Sequence, residues 1–142
     1  MPKLLTNEEL VARVSGGDTA KQVAAAEKLG DRAADGAEEC AAIVRADGVR
    51  PLVDLARNGS GMGKQWAAYA LCNISAWDFR VVFEAGSIGP LVKLARSGGK
   101  GAHRGPEWAA QALGYLARLP DASRWTRRRS RSTSTTSITS AR

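Results

Sequence analysis

The sequence is poor in aromatic residues, which make up 6% of its 142 residues, although hydrophobic residues as a whole make up 44%. A β-sandwich needs strands rich in β-branched and aromatic side chains, whereas alanine, which is abundant here, favours helices. The length is that of a single domain. The composition therefore predicts closely packed helices with enough apolar material to form a core.

Cysteines and long apolar runs are also scarce. The two cysteines, Cys40 and Cys72, are too few for a disulfide scaffold, so we expect both to be small buried hydrophobic residues. No stretch approaches the ~18 apolar residues of a membrane span, and the opening residues "MPKLLTNEEL" lack the apolar run of a signal peptide. We therefore expect an intracellular protein, cytoplasmic or nuclear, without a membrane span.

Residues arranged for catalysis or metal binding are missing as well. The single histidine, His103, lies in a glycine-rich stretch without metal-ligand spacing. The segment "NGSGMGKQ" resembles a phosphate-binding loop, but it has Asn58 where glycine is needed and Gln65 where serine or threonine is needed. We predict no catalytic residue, no metal site and no cofactor, and hence that the protein is not an enzyme.

What the sequence does contain is a repeat. Residues 42–57, "AIVRADGVRPLVDLAR", return as "VVFEAGSIGPLVKLAR" at 81–96, and "WAAYALCNISA" at 66–76 returns as "WAAQALGYLAR" at 108–118. A fainter copy, "AAAEKLGD", precedes both at 24–31. A period of about 40 residues is typical of helical solenoids, in which each unit buries its apolar face against the next.

Local signals agree with helices. Prolines in both copies, Pro51 and Pro90, suit the first turn of a helix, where a missing N–H costs nothing. The segments 6–9 and 19–22 have the spacing of a capping box. Glycines after Asn58 and after the matching helix of the second copy are expected to supply the positive φ of a helix C-terminus. One face of the helix over 66–76 is apolar and is predicted to be buried; it comprises Ala67, Ala70, Leu71 and Ile74.

The segments "WAAYALCNISAWDFRVVF" and "EAGSIGPLVKLAR" resemble the armadillo repeat of importin alpha and beta-catenin. The resemblance covers residues 37–118 well and 4–31 loosely. It implies an all-α, right-handed α-solenoid of three-helix units, with the third helices lining a concave groove that binds extended peptides or protein partners. The expected divisions are a degenerate repeat or cap at 1–36, repeats at 37–76 and 77–120, and a disordered Arg/Ser-rich tail at 121–142.

A second face of the third helices carries the candidate binding residues. The resemblance implies that an asparagine at the position of Asn73 hydrogen-bonds a peptide backbone and that an aromatic at the position of Tyr69 flanks a side-chain pocket. An amide offers both a donor and an acceptor, and aromatic rings hold aliphatic or cationic side chains. The predicted partner-binding residues are Trp66, Tyr69, Asn73, Trp108, Gln111 and Tyr115.

The same residues have a plainer interpretation, which is that the aromatic rings only cover the interface between repeats. Only one copy carries both Tyr69 and Asn73; the next has Gln111 and Tyr115 at those positions, so a continuous asparagine ladder is absent. Binding of nuclear-import cargo is therefore doubtful, and groove function and packing remain open alternatives. The first hypothesis is a non-catalytic scaffold that binds protein or peptide partners.

The tail has a different character from the repeats. Residues 121–142 are rich in arginine and serine without apolar periodicity, and the basic residues are Arg124, Arg127, Arg128, Arg129, Arg131 and Arg142. Three interpretations compete: a solvated tail without a specific role, a basic arm for nucleic acid or nuclear targeting, and a phosphorylatable Arg-Ser segment. The alternative function is accordingly a nucleic-acid or nuclear adaptor.

The last repeat should be incompletely covered. Solenoid units are stabilised by their neighbours, and terminal units need polar caps. The helix over 108–118 presents Leu113 and Leu116, which we expect to lie on the face where a further repeat would pack. We predict that the chain self-associates through this repeat or unfolds readily, or that it is a truncated fragment of a longer solenoid without a function of its own.

Overall fold

The computed structural model describes residues 5–96 and 104–117, and within these residues it contains α-helices and no strand. The helices are α1 Asn7–Ser15, α2 Thr19–Ala34, α3 Ala37–Arg45, α4 Val49–Asn58, α5 Gly61–Glu84, α6 Ile88–Arg96 and α7 Gly105–Ala117. The predicted all-α solenoid is confirmed. The predicted tail, including Arg124, Arg127, Arg128, Arg129 and Arg131, lies outside the described residues.

The helices stack in layers around one continuous core. Helix α5 packs between α2 and α7, while α4 packs against α5 and α6 packs against α7. The core runs from Leu10 in α1 to Leu116 in α7, and many of its members are alanines, which let the helix backbones approach closely. The predicted buried face of α5 is confirmed: Ala67, Ala70, Leu71 and Ile74 are all inaccessible to solvent. Leu116 is buried in this core and only Leu113 is half-buried, so the expectation that both lie on an open face is wrong for Leu116.

The first two helices begin at side-chain caps. Thr6 and Glu9 form the predicted capping box: the Thr6 N–H donates to Glu9 Oε1 at 2.8 Å, and the Glu9 N–H donates to Thr6 Oγ1 at 3.1 Å. The second predicted box, at 19–22, is wrong. Asp18 caps α2 by accepting from the Lys21 N–H, and Gln22 instead donates to the carbonyls of Val14 and Gly16. The Gln22 contact ties α2 back to α1.

Helices α4 and α6 begin after the same kind of turn. Asp47 and Gly86 occupy matched positions of the repeat, and both have positive φ, 59° and 80° respectively. The left-handed conformation is therefore a property of the repeat, and glycine adopts it with less strain than aspartate. Pro51 and Pro90 lie in the first turns of the helices that follow, as predicted.

Helix α4 ends differently from the prediction. Gly59 follows its last residue with φ −75° and ψ 177°, an extended conformation, so this glycine does not supply a positive φ. A side chain is excluded for another reason: a Cβ atom on Gly59 would lie 2.6 Å from the Leu55 carbonyl oxygen. The matching glycine loop of the next unit lies outside the described residues.

Helix α5 is interrupted at Asp78. The backbone there is non-helical, with φ −144° and ψ 85°, and the Asp78 side chain accepts a hydrogen bond from the Val81 N–H at 3.3 Å. Asp78 thus acts as an N-terminal cap for the last turns of α5, in a sequence that otherwise continues as helix. The predicted boundary between 76 and 77 lies just before this break, and the division of the chain into units remains a prediction.

Candidate functional site

Three long helices carry the positions at which the resemblance to armadillo repeats implies partner binding. Helices α2, α5 and α7 contribute matched residues at three levels: Ala24, Trp66 and Trp108; Glu27, Tyr69 and Gln111; Asp31, Asn73 and Tyr115. We call these nine residues the ladder surface. Since α5 packs between α2 and α7, each level crosses the three helices in that order.

The structure brings three of the six predicted residues into one aromatic cluster. The rings of Trp66 and Tyr69 meet edge to face, with centroids 5.4 Å apart and an interplanar angle of 79°. The rings of Tyr69 and Trp108 are tilted by 58°, with centroids 4.9 Å apart. All three side chains are half-buried. Part of each ring therefore packs on its neighbours, and part remains open to solvent.

Tyr69 is held in place by α2. Its ring lies against Gly30, where a Cβ atom would come within 2.6 Å of Tyr69 Cε2. Its hydroxyl donates to Asp31 Oδ1 at 3.1 Å. Burial first, and then the hydrogen bond to and the charge of Asp31, raise the pKa of Tyr69 above its usual value of 10. The phenol is therefore a neutral, oriented side chain at physiological pH.

Asn73 also contacts α2. Its Nδ2 donates to the Gly30 carbonyl oxygen at 3.1 Å, and the residue is half-buried. One donor of the amide is thus used between helices, whereas the amide as a whole offers two donors and a carbonyl acceptor. Asn73, which the armadillo resemblance implies for peptide recognition, therefore also contributes to the packing of α5 on α2.

The remaining two predicted residues lie on α7. Gln111 Nε2 donates to the Tyr115 hydroxyl at 3.5 Å, a long hydrogen bond within the helix. Gln111 is exposed and Tyr115 is half-buried. On α7, Gln111 therefore stands at the level of Tyr69, and Tyr115 stands at the level of Asn73.

The charges on the ladder surface are uneven. Glu27 and Asp31 of the ladder surface are exposed, as is Asp35, the residue that follows α2. The three are spaced four residues apart, so that they share one side of the helix. On α7 the guanidinium of Arg104 lies over the Trp108 ring, with Cζ 4.8 Å from the ring centroid. Arg104 Nε also pairs with Glu107 Oε1 at 2.8 Å. The α2 side is thus acidic, and a cation already contacts the aromatic ring of α7.

The cysteines lie under this surface and not on it. Cys40 and Cys72 are buried, as predicted. The Cys40 thiol is 3.2 Å from the Ala33 carbonyl oxygen. Burial raises the pKa of Cys72 to about 11, and burial followed by the charge of Glu39 raises that of Cys40. Both are neutral thiols near physiological pH.

The described residues form neither a metal-binding cluster nor a membrane-spanning helix. Among residues 5–96 and 104–117, no group of three or more His, Cys, Asp or Glu side chains is placed to hold a metal ion. Within the same residues, no helix combines the length and the apolar character needed to cross a bilayer.

Several residues of the site were not among those predicted. Gly30 was missed because its role depends on the Tyr69 ring of another unit, although its alignment with Cys72 and Gly114 marks it as a small-residue position. Arg104 was missed because it precedes its helix at the end of a glycine-rich stretch of sequence. Gln65 was missed because its partner is distant in the sequence. Its Oε1 accepts from the N–H of Arg104, 39 residues later, at 3.1 Å, and local sequence patterns do not predict such a contact.

Comparisons with known proteins concern the fold. No protein-family model matches the sequence, and a search of curated proteins finds no match. Among solved structures, an engineered protein is 33% identical, with a TM-score of 0.74, over 81% of this chain and 47% of its own. Computationally designed armadillo repeat proteins for modular peptide recognition are 25% identical, with a TM-score of 0.74, over 82% of this chain and 50% of theirs.

A third structure shows a designed armadillo repeat protein in complex with the peptide (KR)4. It is 23% identical, with a TM-score of 0.71, over 78% of this chain and 46% of its own. The chain therefore spans about half the length of the solved structures it matches. The stacked helices, the buried alanine faces and these neighbours together establish that the chain has the armadillo-like repeat fold.

Proposed function

We propose that the protein is a non-catalytic scaffold that binds an extended peptide segment of a partner protein through the ladder surface. The observation that carries this proposal is the aromatic cluster of Trp66, Tyr69 and Trp108, whose rings are fixed by packing yet partly open to solvent. Rigid aromatic side chains supply contact area at a small entropic cost, which suits recognition of a flexible ligand.

The charge of the surface favours a basic ligand. Glu27, Asp31 and Asp35 form an exposed acidic row beside the aromatic cluster, and aromatic faces also attract cations. Complementary charge raises the rate of association and suppresses binding of partners of the wrong sign. The designed armadillo protein solved with (KR)4 supports the choice of lysine- and arginine-containing peptides as ligands.

A labelled (KR)4 peptide tests the proposal by fluorescence anisotropy. Trp66→Ala combined with Asn73→Ala removes an open ring and the amide, and we expect at least a tenfold loss of affinity, about 1.4 kcal/mol. Because Asn73 also bonds Gly30, circular dichroism of the double variant must show an intact helical signal. Unchanged affinity in a folded double variant would contradict the proposal.

A pair of charge variants provides a matched control. Glu27→Gln removes one exposed carboxylate from the ladder surface, and Asp54→Asn removes one from α4, outside it. We expect Glu27→Gln to weaken (KR)4 binding and Asp54→Asn to leave it within the error of measurement. Equal effects of the two variants would indicate attraction by net charge alone and not recognition at the ladder surface.

A second candidate function rests on the composition of the tail. Residues 121–142 contain six arginines and one acidic residue, a basic segment of the kind that binds nucleic acid by counterion release. Binding to RNA or DNA should then fall steeply with salt and disappear when 121–142 is deleted. Affinity that survives the deletion would exclude the tail as the site.

A further inference from the structure

The Trp108 ring already has a cationic neighbour within the chain. The guanidinium carbon of Arg104 lies 4.8 Å from the centroid of the ring, within the range of a cation–π contact. The Nε of the same side chain also donates to Glu107 Oε1 at 2.8 Å. Its backbone N–H donates to Gln65 Oε1 at 3.1 Å, which positions the start of α7 against α5.

In the part of the chain that the structure describes, no cation lies over the matched ring of the preceding unit, Trp66. Met62 occupies the position matched to Arg104, four residues before Trp66, just as Arg104 lies four residues before Trp108. Met62 is 49% exposed and carries no charge. The two tryptophans of the ladder surface therefore differ in one respect that matters for a cationic ligand: a guanidinium contacts Trp108, and an uncharged thioether stands at the matched place beside Trp66.

We infer that Arg104 is a specificity-determining residue that covers one face of the Trp108 ring with its own cation and so directs a ligand's arginine or lysine to Trp66. This inference rests on the proposed function. It adds which of the two tryptophans a cationic side chain of the bound peptide contacts. A peptide cation that stacks on the face of Trp108 covered by Arg104 must displace that guanidinium, and it then also meets the repulsion of the displaced charge. At Trp66 no guanidinium or ammonium group of residues 5–96 and 104–117 lies over the ring, and the carboxylates of α2 attract the ligand's cation.

Arg104 is expected to weaken the binding of a peptide cation at Trp108 without preventing it. The Arg104 and Glu107 side chains are 66% and 68% exposed, so their pair is screened by water and is weak. A cation–π contact at such an exposed site is also weak, and its loss corresponds to a change in affinity of about two- to fivefold. Removing Arg104 should therefore open a second cation site without disturbing the first.

Reciprocal variants test the inference with labelled (KR)4 as the probe. Arg104→Met gives the third unit the residue of the second, and we expect about two- to fivefold tighter binding. Met62→Arg gives the second unit the residue of the third, and we expect weaker binding by a similar factor. Arg50→Met removes an equal charge from the exposed surface of α4 and serves as the control, with little change expected.

The outcomes separate the inference from the proposed function. If the wild-type protein binds (KR)4 and Arg104→Met binds no more tightly than Arg50→Met does, the inference is wrong and the proposed function stands. If neither the wild-type protein nor Arg104→Met binds the peptide, both are wrong. Tighter binding by Arg104→Met together with weaker binding by Met62→Arg would support the inference.

Discussion

The ring of Tyr69 on α5 lies directly on Gly30 of α2, so that α5 packs on α2 at a position where α2 carries no side chain. A Cβ atom on Gly30 would come within 2.6 Å of Tyr69 Cε2, and the Tyr69 hydroxyl is held by Asp31 on the same helix. The ring cannot move aside without losing that hydrogen bond. This contact joins the packing of two repeat units to the geometry of the ladder surface.

The first prediction follows from this contact. Gly30→Ala adds a methyl group where the Tyr69 ring lies, so we expect the free energy of unfolding to fall by about 1–3 kcal/mol in urea titrations. Gly114 occupies the matched position on α7, where a Cβ atom would meet no atom of residues 5–96 and 104–117 within 4 Å. Gly114→Ala should therefore stabilise the protein by about 0.5–1 kcal/mol through helix propensity. Equal effects of the two substitutions would show that the Tyr69 contact does not constrain Gly30.

The second prediction concerns alkaline pH. The pKa of Cys72 is raised from 9.0 to about 11 by burial, so the folded state binds this proton more tightly than the unfolded state does. The resulting stability is fully present below pH 9 and is lost as the pH rises to about 11; the loss amounts to about 3 kcal/mol.

The comparison with Cys72→Ala isolates this contribution from other groups that titrate in the same range. Urea titrations at several values of pH between 9.0 and about 11 should show a steeper fall for the wild-type protein than for Cys72→Ala. The difference in slope is the relevant quantity, because the substitution also leaves a small cavity. Parallel pH profiles would mean that Cys72 is not buried in solution.

The third prediction concerns the joint between α5 and α7. Gln65 is 8% exposed and accepts the Arg104 N–H, and Gln65→Leu removes that acceptor. We expect the free energy of unfolding to fall by about 1–2 kcal/mol. Gln111→Leu changes an exposed glutamine on α7 and should have an effect within about 0.5 kcal/mol. A smaller loss for Gln65→Leu than for Gln111→Leu in thermal or urea unfolding would contradict the role of this bond.

The fourth prediction concerns the end of the stack. On α7, Ala110, Gly114 and Ala117 are exposed and Leu113 is half-buried, and none of the described residues lies within 4 Å of a Cβ atom built on Gly114. The matched glycine of α2 is covered by Tyr69. We therefore expect the chain to self-associate through α7, and sedimentation velocity should show species larger than the monomer.

A charge on this face should reverse the association. We expect Ala110→Glu to shift the chain towards the monomer, whereas Ala12→Glu, which places the same charge on an exposed position of α1, should not. A wild-type monomer with a cooperative, high-temperature unfolding transition would contradict this prediction.

The pattern of the sequence was enough to predict much of the architecture. The repeated segments predicted helices, and the alanine-rich face of α5 predicted which side of that helix is buried. Thr6 and Glu9 predicted where α1 begins. These features depend on residues within a few positions of one another, so helical geometry converts spacing directly into a face or a cap. The failed capping box at 19–22 shows the limit, because two competing caps, Asp18 and Thr19, are adjacent and spacing alone cannot choose between them.

What the sequence by itself determined is therefore the class of fold, its repeat and the levels at which the third helices carry aromatic and polar side chains. Only the tertiary structure decided which residues of neighbouring helices meet. Tyr69 lies on Gly30, and Asn73 donates to the Gly30 carbonyl oxygen. Arg104, whose N–H is bound by Gln65 at the start of α7, contacts the ring of Trp108. The physical reason is that helical periodicity fixes the direction of a side chain around its own axis. The partner that the side chain meets depends on how closely the next helix packs, and here that distance is set by small residues whose importance appears only once the helices are stacked.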